Sequence, residues 1–510
     1  GLGGDGGEGG EGGGGSEFFG GGAGGAGGQG GEGALSFTVG GTGGDGNRGG
    51  DGGFGAGGGQ GGAGGAGGTT GEGRTDDGDP GDGGFGGFAA GDGSNGNALF
   101  GGGGSGFGAS VFVREGGALT VTGESLFQNN VARGGSSTNR GAAGDGAGAA
   151  LFIMTGANVS LEPGLGNTIE FDDDIADNSS ASYEGAQYAE GEGADLTIRG
   201  NGGLVVFNAD NSYSGDTILE GATLQAELGA GVHESSRLRF NGTGDVVDTN
   251  NLVALSLGTV GTLLQDADFG GRRVGNDPFE IKWSGSGGFA SANEDGITIN
   301  LGETLPGVGQ NLTWGSDGFF EGAETSALTF GSEQSLGAVT FANDVVVSGA
   351  DAATVAVYNT GQEESSFATL SGDWDASKLV VGQASTFDGT LYMTGDNSVD
   401  ELHVFGGVLS SFDAASNSGF GTILDSVSGG QVLLWNTAEL NLHAAEAATA
   451  ITVNTNATLR TYGALAASSG IANVGTIEVL NGDEIPGSTI LFAGGTLNAV
   501  SITNSVSGML

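Results

Sequence analysis

The sequence predicts an all-β protein folded as a parallel β-helix, a solenoid of stacked coils. Three observations favour this fold class. Short β-rich runs alternate with turns of Gly, Asn, Asp and Ser over most of the chain. Apolar positions recur at intervals of roughly twenty residues, which is typical of one solenoid coil. No long helical pattern occurs, and the best helical candidate, residues 444–450, predicts a loop or a single turn.

The first zone, residues 1–107, is rich in glycine, and the glycine is in phase. Gly fills 51 of the first 100 positions, and the triplets GGA GGA GGQ GGE follow in frame from Gly21. A Gly-Gly-X period of three matches the polyproline II helix, two faces of which then lack side chains. We therefore expect an ordered module, made either of packed glycine helices or of glycine-rich loops pinned by neighbouring elements. Within it, residues 34–39 alternate and predict a strand.

The second zone, residues 108–230, predicts short strands separated by turns. The strands are expected at residues 111–113, 119–121, 151–153, 168–171, 196–198, 204–207 and 217–219. Ile198 and Ile218 lie one interval of roughly twenty residues apart, as do Leu204 and Leu224. These pairs are predicted to occupy equivalent positions on neighbouring coils.

The third zone, residues 231–510, continues in the same style with less Gly and more Ala, Thr and Val. Equivalent coil positions are again predicted, for Leu402, Ile423 and Leu442, and for Leu459, Val479 and Val500. The alternative architecture is a series of antiparallel sandwiches, which favour tight hairpin turns such as Asn-Gly. After residue 108, Asn-Gly begins only at Asn201, Asn241 and Asn481, which favours the β-helix.

The composition excludes several classes of partner. Lys and Arg total 13 and Asp and Glu total 61, so the net charge is −48. Neither nucleic acid nor an anionic membrane surface offers counter-charge to such a chain. The absence of Cys means that packing alone stabilises the fold, as in chains that cross a bacterial outer membrane unfolded. No apolar run reaches the roughly 18–20 residues of a membrane span, so none is predicted.

Two segments resemble the passenger region of Gram-negative autotransporters. Phe127-Gln128-Asn129-Asn130 fits the FxxN repeat of the polymorphic outer-membrane-protein type. Residues 196–228 resemble the autotransporter-associated β-strand repeat, whose Asn-x-Tyr-x-Gly core is Asn211-Ser212-Tyr213-Ser214-Gly215 here. The resemblance covers about residues 108–228 and implies a right-handed β-helix on the cell surface. Autotransporters end in a membrane β-barrel with a terminal aromatic residue, whereas this chain ends at Leu510, so we expect the barrel to be cleaved off or absent.

The Asn and Tyr residues of this repeat have side chains suited to the corners and the interior of a coil. Asn at a coil corner is expected to adopt the left-handed conformation, to bond neighbouring backbone and to stack into ladders. Tyr213 and Phe207 are expected to fill the coil or to brace its outside.

No catalytic, cofactor-binding or metal-binding residue is assigned from the sequence. The glycine-rich loops that match GxGxxG do not join a strand to a helix, as phosphate binding would require. With no Cys, a zinc site would need His233, His403 and His443 to converge, and a surface position on a strand is the expected alternative. Residues 283–287, WSGSG, only superficially match the elbow of a nucleophilic serine.

Calcium is the ligand that the acidic segments favour. Asp172, Asp173, Asp174 and Asp177 form a dense acidic turn, and residues 40–45 resemble one calcium-binding Gly-Asp repeat. The alternative is a solvated acidic turn without a metal ion. The four Trp residues are isolated from each other in sequence, and they either pack in the core or stack on sugars. They are Trp283, Trp314, Trp374 and Trp435.

These observations predict an extracellular structural protein of a Gram-negative bacterium, with no enzymatic activity. We expect a subunit of a surface or matrix fibre with an adhesive role, which self-associates head to tail because the ends of a β-helix have unpaired backbone groups. The glycine-rich tract is the expected joint. One alternative is a monomeric adhesin that binds glycans or surfaces, and another is a β-helix enzyme that degrades polysaccharide with a carboxylate-lined groove.

Overall fold

The computed structural model is all-β, and its longest sheets consist of parallel strands. The described residues are 48, 69–70, 73–74, 79, 82–85, 90, 92–94, 102, 104–136, 142–179, 193–200, 202–243, 258–303, 305, 307–323, 325–348, 352–382, 386–411, 422–424, 430–435, 437–442, 446–461, 464–467, 471–473, 475–479, 496–499 and 502–504. Within them the helical content is one 3-10 turn, Glu363–Ser365. No helix in this part of the chain is long and apolar enough to span a membrane.

The largest sheet, called the long sheet below, has sixteen parallel strands from one end of the described fold to the other. Its strands are Ser125–Phe127, Thr168–Phe171, Leu204–Phe207, Thr223–Ala226, Gly261–Gln265, Gly287–Ser291, Ala327–Phe330, Ala353–Val357, Leu379–Val381, Glu401–Val404, Gly430–Leu434, Glu446–Val453, Ala464–Ala467, Ile471–Asn473, Thr496–Ala499 and Ile502–Asn504. With few departures, each strand of the long sheet pairs with the strand of the same sheet that comes next along the chain. The chain therefore advances by one coil between these two strands.

Two smaller parallel sheets complete the first half of the fold. The three-stranded sheet comprises Val111–Val113, Leu151–Ile153 and Ile175–Asp177. The six-stranded sheet comprises Ala118–Thr122, Asn158–Glu162, Leu196–Ile198, Thr217–Leu219, Leu238–Phe240 and Ile281–Trp283. In the first three coils the chain therefore visits the three-stranded, six-stranded and long sheets in that order.

Two other parallel sheets accompany the long sheet in the second half. The eight-stranded sheet comprises Ile297–Ile299, Val339–Phe341, Phe367–Leu370, Thr390–Met393, Val408–Ser410, Glu439–Leu442, Thr458–Thr461 and Thr476–Val479. The five-stranded sheet comprises Leu312–Thr313, Val345–Val347, Trp374–Ala376, Asp396–Val399 and Thr422–Leu424. This repeated visiting of three sheets in a fixed order is compatible with a β-solenoid.

All seven strands predicted within residues 108–230 are confirmed, but the predicted coil equivalences are off by one residue or more. Thr197 pairs with Ile218, so Ile198 pairs with Leu219 instead. In the long sheet Leu204 pairs with Thr223 and not with Leu224. The reason is that the corners vary in length, so the number of residues per coil is not constant. The register is fixed instead by the side chains, which alternate strictly between inside and outside along each strand.

The predicted equivalences of the third zone are wrong. Leu402, Ile423 and Leu442 lie on three different sheets: the long, five-stranded and eight-stranded sheets respectively. Leu459 pairs with Ile477 instead of Val479, and Val500 lies outside the described residues. The prediction for residues 444–450 is also wrong, because Glu446–Val453 is a strand of the long sheet. Ala448 and Ile451 are buried there, and pairing with Gly430–Leu434 overrides the helical preference of the alanines.

The core is one apolar cluster that runs through the stacked coils. Two of the four Trp residues share an aromatic group within it. Trp283 lies 5.2 Å and Trp314 5.4 Å, centroid to centroid, from the ring of Phe319. Trp283, Trp314 and Trp374 are buried, so their role is core packing, and Trp283 and Trp314 lie close together although they are distant in sequence. Tyr213 and Phe207 are buried as well, so they fill the coil.

Glycine-rich segments pack on the outside of the three-stranded sheet. Phe107 stacks on Phe152 of that sheet at 4.4 Å, and Gly106–Phe107 pairs with Gly146–Ala147. Neighbouring segments exchange backbone hydrogen bonds: Gly135 donates to Gly104 and Gly144 donates to Gly135. A Cβ atom on Gly134 would lie 2.0 Å from the carbonyl oxygen of Gly144, so only glycine permits this approach.

Most of residues 1–101 lie outside the described residues, including the in-phase triplets, the strand expected at 34–39 and the Gly-Asp repeat at 40–45. The described parts include an antiparallel pair, Thr69–Thr70 with Gly73–Arg74. A short pair, Leu228–Gly229 with Val232–His233, lies at a corner further along the chain.

Candidate assembly edge

The first coil of the fold presents an open edge. Its strands are Val111–Val113, Ala118–Thr122 and Ser125–Phe127, and each is the terminal strand of its sheet. Each pairs in parallel with a strand of the second coil. Among the described strands none pairs with the opposite side, so this side offers backbone groups to a further strand. We call this surface the first-coil edge.

The direction of individual peptide groups at this edge follows from the hydrogen bonds to the second coil. The carbonyl of Gly117 accepts from Asn158, and the N–H of Gly123 donates to Glu162. In a parallel strand, the N–H and C=O of one residue point to the same side, and successive residues alternate. The peptide groups of Ala118, Thr120 and Thr122 therefore face the open side.

The apolar core is incompletely covered at the same edge. The inward residues Leu119, Val121 and Phe127 are only half-buried. Their counterparts one coil further on are fully buried, and they are Val159, Leu161 and Phe171. Phe112 and Leu126 are also exposed, at 43% and 50%. The first-coil edge therefore combines open backbone with uncovered apolar surface, which is the composition of an interaction surface.

The corners of the first coil are also open. Gly116 and Gly123 have positive φ angles, and a Cβ atom on either would meet nothing within 4 Å. The charged side chains of the first coil are Arg114, Glu115 and Glu124, so this end has little of the net charge of −48. The first coil itself therefore contributes few charges that would oppose contact with another copy.

The opposite end of the described fold has open strands of the same kind. Thr476–Val479 is the last strand of the eight-stranded sheet, and Thr496–Ala499 and Ile502–Asn504 are terminal in the long sheet. Because pairing in the long sheet is parallel throughout, its first and last edges are complementary. The first strand of another copy has the direction that parallel pairing with the last strand of the long sheet requires.

The acidic turn bonds to neighbouring backbone. Asp174 accepts from the N–H groups of Gly148 and Ala149, at 2.7 and 2.9 Å. Asp173 accepts from Asn130 at 2.7 Å, and the buried Asp177 accepts from Ala194 and Ser214, at 3.0 and 2.8 Å. Asp172 is exposed and accepts from Asn208. These carboxylates fasten adjacent segments, so Asp177 does not fit a solvated turn.

No group of three or more His, Asp or Glu side chains in the described part of the chain is arranged to hold a metal ion. Calcium at residues 172–177 stays a prediction. His233 accepts from the N–H of Ser235 through Nδ1, and His443 lies outside the described residues. His403 is 6% exposed, so a surface position for it is wrong. Ser286 is buried, and its hydroxyl accepts from the N–H of Ala327 at 3.0 Å.

The residues of the first-coil edge could not be distinguished in the sequence. Leu119 and Val121 alternate with threonines, as the buried Leu196 and Ile198 do with Thr197, and only their place in the stack leaves them uncovered. The inward Asn211 is different, because it lies in the Asn-x-Tyr-x-Gly core that the sequence singled out. Its Oδ1 accepts from Ile175 of the preceding coil and its Nδ2 donates to Gly231 of the next.

Comparisons with protein-family models, with curated proteins and with solved structures produced no match.

Proposed function

We propose that this chain is a structural subunit of an extracellular bacterial fibre and that copies of it join end to end. The observation that supports this proposal is the first-coil edge, where open backbone coincides with a half-buried apolar core. A second copy that adds its terminal strands there would continue the long sheet and cover Leu119, Val121 and Phe127. Because the contact is heterologous and does not close, it would propagate into a filament.

The proposal includes a finer description of the architecture. The coils form a right-handed parallel β-helix, and the glycine-rich segments form a layer of polyproline II-like chains on its side. The hydrogen bonds from Gly135 to Gly104 and from Gly144 to Gly135 support such a layer, because they join extended segments outside the strands. In this arrangement the described glycine segments thicken the fibre laterally, and the first-coil edge forms the joint.

We assign the fibre to the surface of a Gram-negative bacterium, as the passenger region of an autotransporter-like protein. Support comes from the Asn211–Gly215 core, from the lack of Cys and from the strongly acidic composition. The proposed role is adhesive and structural, without catalysis.

The test is to place a charge on the half-buried edge. Val121→Lys would bring an ammonium group into the apolar contact, and its desolvation would oppose association. We expect the unmodified protein to form long fibres in negative-stain electron microscopy and the variant to remain as single particles in sedimentation velocity. Val346→Lys is the matched control, since Val346 is 41% exposed on an outward position, and its fibres should persist.

A second variant separates backbone pairing from side-chain packing. Thr120→Pro removes one N–H that faces the open side and leaves the backbone hydrogen bonds to the second coil in place; the side-chain bond from Ser160 to Thr120 is lost in this variant and in its control alike. Thr120→Val retains that N–H and serves as its control. Fibres formed equally well by Val121→Lys and Thr120→Pro would overturn the proposed joint, and single particles of the unmodified protein would overturn the fibre itself.

A further inference from the structure

A polar groove crosses the outer face of the six-stranded sheet. It has a volume of about 770 Å³ and extends over successive coils, from Thr120 through Ser160 and Asp195 to Arg237. Adjacent strands are about 4.8 Å apart, so equivalent positions repeat along the groove with that spacing. The groove is lateral and begins at the first coil, where Thr120 also belongs to the first-coil edge, but Asp195, Asp216 and Arg237 lie on later coils.

The charged groups of the groove are held in place by one another. Arg237 Nη2 lies 2.7 Å from Asp216 Oδ2, and Arg237 Nη1 donates to the carbonyl of Asn276 at 2.8 Å. The backbone N–H of Asp216 donates to Asp195 Oδ1 at 2.8 Å. The Nε atom of Arg237 is buried and has no hydrogen-bond partner among the described residues. This buried donor does not itself face a ligand, and it keeps the guanidinium in a rigid setting next to Asp216.

The opposite rim has the same organisation. Arg199 Nε lies 2.7 Å from Glu162 Oε1, and this hydrogen bond lowers the pKa of Glu162. The two arginines of the groove are therefore each matched by a carboxylate of the chain. The site presents fixed donors and acceptors without a net excess of positive charge.

Several classes of ligand are disfavoured by this geometry. Beyond the first coil a peptide cannot add as a strand, because Asn158–Glu162, Leu196–Ile198 and Thr217–Leu219 are each paired on both sides. Nucleic acids and anionic polymers would meet Asp195 and Asp216 within a chain of net charge −48. The remaining class is an uncharged polymer rich in hydroxyl groups.

We propose that this groove binds a neutral polysaccharide that runs across the coils. Planar carboxylate and guanidinium groups form paired hydrogen bonds with vicinal hydroxyls. The coil spacing is close to the length of one pyranose ring, so successive sugars would meet equivalent positions of successive coils. Ile218 supplies an apolar surface for the C–H face of a ring. Arg237 and Asp216 bind a sugar at the end of the groove furthest from the first coil.

The test measures binding of defined oligosaccharides to the full chain by isothermal titration calorimetry. The probes are hexasaccharides of cellulose, xylan, mannan, laminarin and starch, with oligogalacturonate and oligoalginate as anionic counterparts. The variant is Arg237→Ala, and the matched control is Arg239→Ala. Arg239 lies on strand Leu238–Phe240, which directly follows Arg237; it donates to Ser284 and does not line the groove. Circular dichroism and thermal melting verify that both variants fold.

We expect at least one neutral oligosaccharide to bind, with its affinity lowered about tenfold or more by Arg237→Ala and less than about twofold by Arg239→Ala. Three outcomes would overturn the proposal: no neutral probe binds, the two variants bind alike, or only the anionic probes bind. Because the assay does not depend on fibres, its result is independent of the end-to-end joint.

Discussion

Inward asparagines take the place of backbone groups in this core. The side-chain Oδ1 atoms of Asn211, Asn343 and Asn397 each accept the N–H of a residue on a preceding coil, at 2.7 to 3.0 Å. Their Nδ2 groups donate to backbone carbonyls. A primary amide can do this because it has the same donor and acceptor as a peptide group. These side-chain bonds satisfy backbone N–H and C=O groups at the corners of the coils, where regular strand pairing is interrupted.

The expected role of Asn at coil corners was correct in one respect and wrong in another. These three residues bond neighbouring backbone, as predicted, but none has a positive φ angle; among described Asn residues, Asn129 and Asn456 do. Nor do the three stack into side-chain ladders, since their bonds go to backbone atoms. The sequence could indicate an Asn at a corner, but which way its side chain turns depends on the neighbouring coil.

Tyr213 has a polar partner although it is fully buried. Its hydroxyl lies 2.6 Å from Thr217 Oγ1, which in turn lies 2.9 Å from Ser236 Oγ. Burial raises the pKa of Tyr213 to about 12, so the phenol stays neutral. Arg272 donates to the carbonyls of Ser236 and His233, and burial lowers its pKa to about 10. The Asn-x-Tyr-x-Gly core therefore works as a polar network that joins several coils.

The first prediction at this scale is that Asn211→Ala opens the structure locally. It would leave the N–H of Ile175 and the carbonyl of Gly231 unpaired in the core, at a cost of about 1–3 kcal/mol each. We expect faster hydrogen–deuterium exchange of the segment around Ile175, measured by mass spectrometry. Asn208→Ala is the control, because Asn208 is exposed and bonds only side chains there. Unchanged exchange in Asn211→Ala would contradict the proposed role of the amide.

At the level of strands, the local sequence pattern was sufficient to locate most of the strands. It was not sufficient to predict which residues pair between neighbouring strands. Runs such as Leu196–Ile198 alternate between buried and half-exposed residues, so the sequence identified them directly. Their partners depend on the length of each corner. Glu446–Val453 was missed because its alanines favour helix in isolation, and only its neighbours in the long sheet make it a strand. The first-coil edge and the lateral groove result from stacking, which no single segment encodes.

The long sheet also contains a buried polar group on its outer face. His403 lies between the inward residues Leu402 and Val404, and its Nε2 is 2.6 Å from Glu401 Oε1. Lys378 Nζ is 3.1 Å from the same carboxylate oxygen. Burial, reinforced by the charge of Lys378, lowers the pKa of His403. Burial opposes ionisation of Glu401, but the hydrogen bond and charge of Lys378 outweigh it and lower that pKa.

The second prediction is that His403 makes the fold less stable as the pH falls. Its pKa in the folded state lies below the ordinary 6.5, so the unfolded chain binds more protons as the pH drops past 6.5. Stability due to His403 is therefore complete above pH 6.5 and is lost towards its lower folded pKa. Between pH 8 and pH 5, the melting temperature of the unmodified protein should fall further than that of His403→Gln.

Staying above pH 5 avoids protonation of Glu401, whose lowered pKa would add a loss of the same sign at lower pH. His233→Gln is the matched control, since His233 is half-buried and accepts a local hydrogen bond from Ser235. Parallel pH profiles for the unmodified protein and His403→Gln would contradict the prediction.

The whole molecule combines a strongly acidic composition with a first coil that contains few charged residues. Its net charge of −48 opposes contact between copies, but the first coil contains only Arg114, Glu115 and Glu124 as charged residues. In the proposed fibre, contact through the first coil would therefore bring few like charges of that coil together. A fibre built in this way would leave the lateral groove free along its length, so that one filament would present many copies of the same binding surface.

The last prediction is that salt promotes fibre growth. Raising NaCl from about 0.01 M to 0.15 M shortens the screening length from about 30 Å to about 8 Å, which weakens repulsion between copies and leaves apolar contact at Val121 intact. The lowest protein concentration that yields fibres, measured by light scattering, should therefore fall. Val121→Lys should stay unassembled at both salt concentrations.

CaCl₂ at matched ionic strength separates screening from calcium binding, because a larger effect of calcium would indicate ions held at the joint. Fibres that dissolve on addition of salt would show that attraction between opposite charges, and not the apolar edge, holds the copies together.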